Sequence, residues 1–212
     1  VNSSKNIPLL NPKDTSFRSR DLLVVTGKLK GEQTHIMVAH WPSRRGGAEK
    51  TSELRINAAK VARSIFDSLL FMNPNSKALI MGDFNDDPSD LSVKQYLNTV
   101  GSITAMTNKT LFNPMDSIHK PGYGTLEWRG KWNLFDQIIV SPAFLDNKTS
   151  YSFSKAHVFE KPFLRVQTGK YKNTPYRTYA GRKYLGGYSD HFPVLIEVDL
   201  SNYIEDEKIH NL

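Results

Sequence analysis

The sequence predicts an α/β fold built from mixed sheets with helices on their outer faces. Three observations lead there. The predicted elements run β, β, α, β, short α and then mostly β. Only one long stretch has strong helical periodicity. The second half offers too few helices to cover both faces of a doubly wound parallel sheet.

Residues 1–19 are polar, contain Pro8 and Pro12, and read as a loop or arm. Residues 20–212 read as one domain, with no internal repeat, low-complexity segment or linker. Residues 22–29 and 34–39 are rich in β-branched and apolar side chains, and Lys30-Gly31-Glu32-Gln33 between them predicts a hairpin. A loop over residues 41–47 follows. Leu54, Ala58, Val61, Ala62, Ile65 and Leu69 recur at helical spacing, and Asn73-Pro74-Asn75 stops the helix. Residues 77–81 form a short buried strand. Asp86-Asp87-Pro88 makes a turn, and Asp90 is placed to cap a short helix over residues 91–97.

Residues 99–122 are irregular. Residues 124–129 and 133–140 read as two strands around Gly130-Lys131, and residues 151–159 as another. Residues 163–187 read as loop or hairpin. Residues 193–200 form the last strand, and a polar tail follows.

The chain has 212 residues, 39% of them hydrophobic, which suits a single domain with a sizeable core. No apolar run is long enough to span a membrane, and nothing at Val1 reads as a signal peptide. There are no cysteines, so disulfides, thiolate zinc sites and cysteine nucleophiles are excluded. Any metal must be held by oxygen or imidazole, which points to magnesium, manganese or calcium. The net charge of +7 and pI near 9.5 attract polyanions, of which nucleic acid is the commonest; a merely soluble basic surface would have the same balance.

Acid, amide and imidazole groups collect at the ends of predicted strands. Gly82-Asp83-Phe84-Asn85 follows the apolar run Ala78-Leu79-Ile80-Met81. Residues two apart on a strand share a face, so Asp83 and Asn85 would point to one site if the extended backbone persists. The carboxylate would orient a water and the amide would donate to a phosphate oxygen. Asp and Asn would equally serve a plain turn. Asp190 and His191 precede the last strand, and a bend near Gly186-Gly187 would let both reach one site. Asp190 is a metal-ligand candidate; His191 would orient the nucleophile or bind phosphate. Asp136 sits among Phe135 and Ile138-Ile139-Val140 and needs a partner to offset its desolvation, with His191 the candidate. A salt bridge to a structural Lys or Arg is the alternative. His40 ends the run Ile36-Met37-Val38-Ala39. Arg44 and Arg45, on a Gly-bearing loop, would grip phosphate bidentately; a solvated basic loop is the alternative. No acidic residue lies between Glu160 and Asp190, where lysines and arginines alternate with Tyr171, Tyr176, Tyr179 and Tyr184. That alternation suits a nucleic-acid backbone with stacked bases, though a solvated loop would look similar. Tyr123, Trp128 and Trp132 are placed to stack on a substrate near Asp136, though aromatic residues in strands are usually core.

Together, Ala39-His40-Trp41, Gly82-Asp83-Phe84-Asn85, Phe135-Asp136-Gln137-Ile138 and Ser189-Asp190-His191 resemble, in order and separation, the endonuclease/exonuclease/phosphatase superfamily. Arg44-Arg45-Gly46-Gly47 and Tyr184-Leu185-Gly186-Gly187-Tyr188 resemble a bacterial branch of it. The resemblance implies a DNase I-like four-layer α/β sandwich, with two packed mixed sheets flanked by helices. It implies phosphoester hydrolysis with a divalent ion, usually Mg²⁺, with Mn²⁺ or Ca²⁺ as alternatives. By position, Asp83 would orient the water, Asn85 would bind phosphate and Asp190 would sit in the metal shell. His191 with Asp136 would orient the nucleophile or stabilise the phosphorane, and His40 would contact the phosphate.

The family's domain opens with a strand bearing an Asn ligand and a second strand ending in a metal-binding Glu, and neither is found ahead of Arg20. The chain is therefore expected to be the C-terminal portion of a domain. Another polypeptide segment, or self-association, would cover the incomplete sheet. A nuclease is the leading expectation. A phosphatase or phospholipase of the same fold, and a non-catalytic polyanion-binding fragment, are the alternatives.

Overall fold

The computed structural model describes residues 1–201 apart from positions 12 and 15, so the predicted polar tail lies outside the described residues. The chain begins with β1 (Ser3–Ile7), β2 (Leu22–Leu29) and β3 (Glu32–His40), then the long helix α1 (Ala48–Met72) and β4 (Lys77–Asp83). A π-helical turn, Ser92–Tyr96, leads to β5 (Thr99–Val100), β6 (Leu111–Phe112) and the short α2 (Pro114–Ile118). Next come β7 (Leu126–Trp128), β8 (Lys131–Asn133), β9 (Asp136–Val140) and β10 (Tyr151–Val158). A small hairpin, β11 (Tyr179–Ala180) and β12 (Lys183–Tyr184), precedes β13 (Val194–Leu200).

One sheet has seven strands in the order β1-β2-β3-β4-β9-β6-β5; β10 and β13 pair separately, as do β7 with β8 and β11 with β12. The β2–β3 hairpin turns at Lys30 and Gly31, both left-handed with φ of 49° and 83°. Two such residues match the twist of the flanking strands, so the predicted four-residue loop shortens and β3 starts at Glu32. β3 and β4 run parallel, joined through α1, and β4 and β9 run antiparallel.

Side chains alternate across this sheet. Met37, Ala39, Ala78, Ile80 and Ile139 face α1, where Ala58, Ala59, Ala62 and Phe66 are buried against them. Ile36, Leu79, Met81, Ile138 and Val140 face the opposite way and pack with Tyr151 and Val158 of β10 and with Val194, Ile196 and Val198 of β13. Two mixed layers of core thus lie on either side of one sheet, as the alternating pattern requires. No helix among the described residues is long and apolar enough to cross a membrane.

Four local expectations change. The arm at residues 1–19 contains a strand, β1, which pairs with β2 from Ser3↔Thr26 to Ile7↔Leu22. It is exposed over Ser3–Asn6, so its backbone hydrogen bonds make it a strand without any apolar alternation to betray it. α1 starts at Ala48 rather than near Leu54, and its most buried stripe includes Arg55, for which Asp86 supplies the partner. The expected strand 133–140 is broken at Leu134-Phe135: β8 belongs to a hairpin with β7, and β9 crosses to the main sheet. Asp90 does not cap the short helix; its carboxylate accepts from Asp87 N and Arg44 instead.

Candidate active site

Period-two alternation brings the first three groups together. In parallel register His40 of β3 pairs with Asp83 of β4. In antiparallel register Asp83 pairs with Asp136 of β9. All three close the face that carries Ile36, Met81 and Ile138, so their side chains emerge in one row at the end of the sheet. His40 Nε2 lies 3.4 Å from Asp83 Oδ2.

Gly82 makes this row possible. Its φ is +139°, and a Cβ there would stand 1.8 Å from the carbonyl oxygen of Ala39. Only glycine lets β3 and β4 approach closely just before His40 and Asp83.

The fourth member comes from outside the sheet. His191 lies on the irregular segment ahead of β13, so the difficulty of adjacent residues facing opposite ways on a strand does not arise. Its Nδ1 is 2.7 Å from Asp136 Oδ2. Thr125 holds both partners: its carbonyl accepts from Phe192 N at 2.8 Å and its Oγ1 from Asp136 N at 3.4 Å. The predicted Asp136–His191 pair is thus present, and Thr125, which no motif singled out, fixes its geometry. With Nδ1–H bonded to the carboxylate, Nε2 is the nitrogen presented to a substrate.

Asn85 reaches the site by a turn rather than by continued strand. β4 ends at Asp83, Phe84 N donates to Phe135 O, and Asn85 is left-handed with φ of 51°. Asp83 Oδ1 accepts from Asn85 N at 2.8 Å, and Asn85 Nδ2 donates to Trp41 O at 3.1 Å. Trp41 is fully buried and stacks on Phe84 with ring centroids 4.4 Å apart, anchoring the residues that follow His40 and Asp83.

Charge is unevenly shared. Burial raises the Asp83 carboxyl above its ordinary value, and the negative Asp136 opposite raises it further. Burial also lowers His40, more than Asp83 raises it, with the Arg20 guanidinium adding to the fall. Burial pulls His191 down most strongly as a single influence. The Asp136 hydrogen bond and the charges of Asp136, Asp83 and Asp190 together outweigh it, so the imidazole ends above its ordinary value. Arg20, exposed near His40, is a second residue that sequence reasoning passed over; it carries no motif.

The arginine expectation divides. Arg44 Nε donates to Asn85 O at 2.7 Å, and its Nη2 lies 2.9 Å from Asp86 Oδ1 and 2.5 Å from Asp90 Oδ2. The guanidinium also covers the Phe135 ring at 4.5 Å. Arg44 is therefore a clamp on the loop after β4 rather than a free phosphate fork. Asp86, beneath it, also meets Arg55 Nε at 2.7 Å and Ser92 Oγ at 2.6 Å. Asp87 accepts from Leu134 N at 2.6 Å. Arg45 is exposed. Trp132 is half-buried and stacks on Phe192, with centroids 6.1 Å apart.

Asp190 is exposed beside His191. Among the described residues no group of three or more His, Cys, Asp or Glu is arranged to hold a metal ion alone. The donor set fits a hard cation only in the sparser arrangement, with one or two carboxylates completed by substrate phosphate and water. Burial, and after it the negative Asp136, disfavours the Asp83 anion, and a bound cation would relieve it.

The sequence model of the Endonuclease/Exonuclease/phosphatase family matches residues 1–200. No curated protein sequence matches the chain. Solved structures do. The human Nocturnin catalytic domain superimposes with a TM-score of 0.55 at 18% identity, covering 94% of this chain and 59% of that one. D. rerio TDP2 in complex with a single-strand DNA product gives 0.54 at 14% identity, covering 93% and 67%. The Bacteroides thetaiotaomicron mannosyl-6-phosphatase gives 0.51 at 15% identity, covering 94% and 67%. The chain therefore spans 59% of the Nocturnin domain it matches. At these identities the likeness is one of fold, and it is the DNase I-like α/β fold expected from the four motifs.

Proposed function

This chain belongs to the Endonuclease/Exonuclease/phosphatase family, and on that premise we propose that it is a divalent-metal-dependent phosphodiester hydrolase acting on nucleic acid. The observation that carries the reading is the register row His40–Asp83–Asp136, with His191 bonded to Asp136 at 2.7 Å. Two imidazoles and two carboxylates with unequal environments supply separate acid and base roles.

In this reading Asp83 accepts a hydrogen bond from the attacking water and aligns it with the phosphorus. Asp136 keeps His191 in the tautomer that directs Nε2 at the phosphate. The protonated imidazole then donates to a phosphoryl oxygen as charge builds in the transition state. His40, kept neutral by burial, contacts the phosphate or the leaving oxygen. Asn85 donates its remaining amide hydrogen to phosphate without adding charge, and Arg45 meets the polyanion backbone. Asp83 and Asp190 are the carboxylates that would hold Mg²⁺, Mn²⁺ or Ca²⁺. When bound, such an ion neutralises the phosphoryl oxygens and lowers the pKa of a water.

Nucleic acid is favoured over a small phosphoester by the net charge of +7 and by the basic, tyrosine-bearing stretch ahead of Asp190. Plasmid nicking tests the reading, with Mg²⁺ or Mn²⁺, an EDTA control and the Asp83→Ala variant. Metal-dependent nicking that the variant loses is the expected result. Salt-sensitive DNA binding without any nicking would leave a non-catalytic polyanion binder in its place.

A further inference from the structure

A cleft of about 1040 Å³ lies between the β7–β8 hairpin and the loop over residues 166–185. Its walls carry the aromatic planes of Trp128, Trp132 and Tyr171 and the cations of Arg129, Lys170 and Arg177. Trp128 and Tyr171 are 58% and 59% exposed, so these rings are not used by the core. Arg129 lies over the Trp128 ring at 5.6 Å, and Lys170 over Tyr171 at 5.6 Å.

None of the three cations is held by a carboxylate among the described residues. Glu127, the one acid on the walls, already accepts from Gly130 N. One wall residue reaches toward the row. Trp132 stacks on Phe192, the residue that follows His191.

Exposed aromatic rings, with cations that have no carboxylate partner lying over two of them, fit a ligand that alternates flat rings with negative charge. A sugar phosphate or an acyl chain has no flat π-face to stack. A duplex keeps its base faces inside and offers only phosphates. We infer that this cleft is a stacking subsite for unpaired nucleotides adjoining the scissile phosphate, so that the chain takes single-stranded segments in preference to duplex. The inference rests on the phosphodiesterase reading and adds strand type to it.

Fluorescence anisotropy in EDTA, at fixed low salt, reads binding without cleavage. The probes are a labelled oligothymidylate about 12 nucleotides long and a duplex of equal length. The single strand is expected to bind roughly tenfold tighter. Trp128→Ala and Tyr171→Ala should each weaken it by about tenfold while leaving duplex affinity unchanged. Both side chains are exposed, and thermal melting checks that the variants keep the fold. Equal affinity for the two probes, or single-strand binding untouched by both substitutions, overturns the inference. Hydrolysis of bis(p-nitrophenyl) phosphate by the wild-type chain with Mg²⁺ is read in parallel. Strand preference without hydrolysis supports the cleft and removes the phosphodiesterase; hydrolysis without preference does the reverse.

Discussion

Asp83 and Asp136 stand directly opposite each other across the antiparallel pair β4–β9. Opposed residues of such a pair have Cβ atoms roughly 5 Å apart, and like charges there are destabilising. The fold tolerates the arrangement because His191 is bonded to Asp136 and its charge also offsets that of Asp83.

Removing one charge should therefore trade activity for stability. Asp83→Asn keeps an oxygen for the Asn85 N–H and ends the repulsion with Asp136. Hydrolysis should fall by about a hundredfold or more, while the melting temperature at neutral pH rises by roughly 2–4 °C. Calorimetry beside a nicking assay measures both. A lower melting temperature would show that the carboxylate is not strained.

The two neighbouring arginines should behave oppositely. Arg44→Ala leaves Asp86 and Asp90 without their clamp and should destabilise the chain by about 3 kcal/mol. Arg45→Ala should leave stability within about 0.5 kcal/mol. If Arg45 meets phosphate, its loss lowers the slope of log affinity against log salt by roughly 1. Urea unfolding and salt-dependent DNA binding separate the pair, and the reverse pattern would return Arg44 to the phosphate.

Gly82→Ala should be far more damaging than a surface glycine change. Its Cβ would meet the Ala39 carbonyl, and the backbone is left-handed. The strands must part just where His40 and Asp83 align. Loss of hydrolysis with a drop of roughly 3 kcal/mol or more in stability is expected. Gly31→Ala, in an open turn with φ of +83°, should cost only about 1 kcal/mol.

Acid sensitivity should trace in part to His35, far from the row. Burial holds its imidazole below the ordinary value of 6.5. Nδ1 lies 2.9 Å from Thr26 Oγ1, and Nε2 faces the Gln33 amide nitrogen at 3.2 Å. Protonation would turn Nε2 into a donor facing a donor. The unfolded chain therefore binds the proton more readily, so stability is full above about pH 6.5 and falls as pH drops toward the lowered folded value. His35→Gln should flatten that part of the curve. An unchanged slope between about pH 5 and 7 would assign the sensitivity elsewhere.

The strands and the main helix were legible because burial leaves periodic marks. The apolar alternation of residues 22–29 and 34–39 and the spacing of Ala58, Ala62 and Leu69 survive as β2, β3 and α1. β1 left no such mark, since Ser3–Asn6 bury nothing and are held by backbone pairing. Among the site residues, Asp136 and His191 could be paired in advance because a carboxylate within an apolar strand demands a partner. Arg44 misled for the same physical reason that makes arginine versatile. Its planar fork suits phosphate and buried carboxylates equally, and only the packed loop reveals that Asp86 and Asp90 occupy it.

By itself the sequence determined the fold class, the family motifs, the oxygen-and-imidazole character of any metal site, and the basic charge. These depend on residue type and local order, which a linear chain carries in full. The tertiary structure alone decided that Asp83 faces Asp136, that Arg44 and Arg55 converge on Asp86, and that Trp128 and Tyr171 wall one cleft. Such juxtapositions join residues dozens of positions apart. They exist only once strand register and loop packing bring distant side chains to one face.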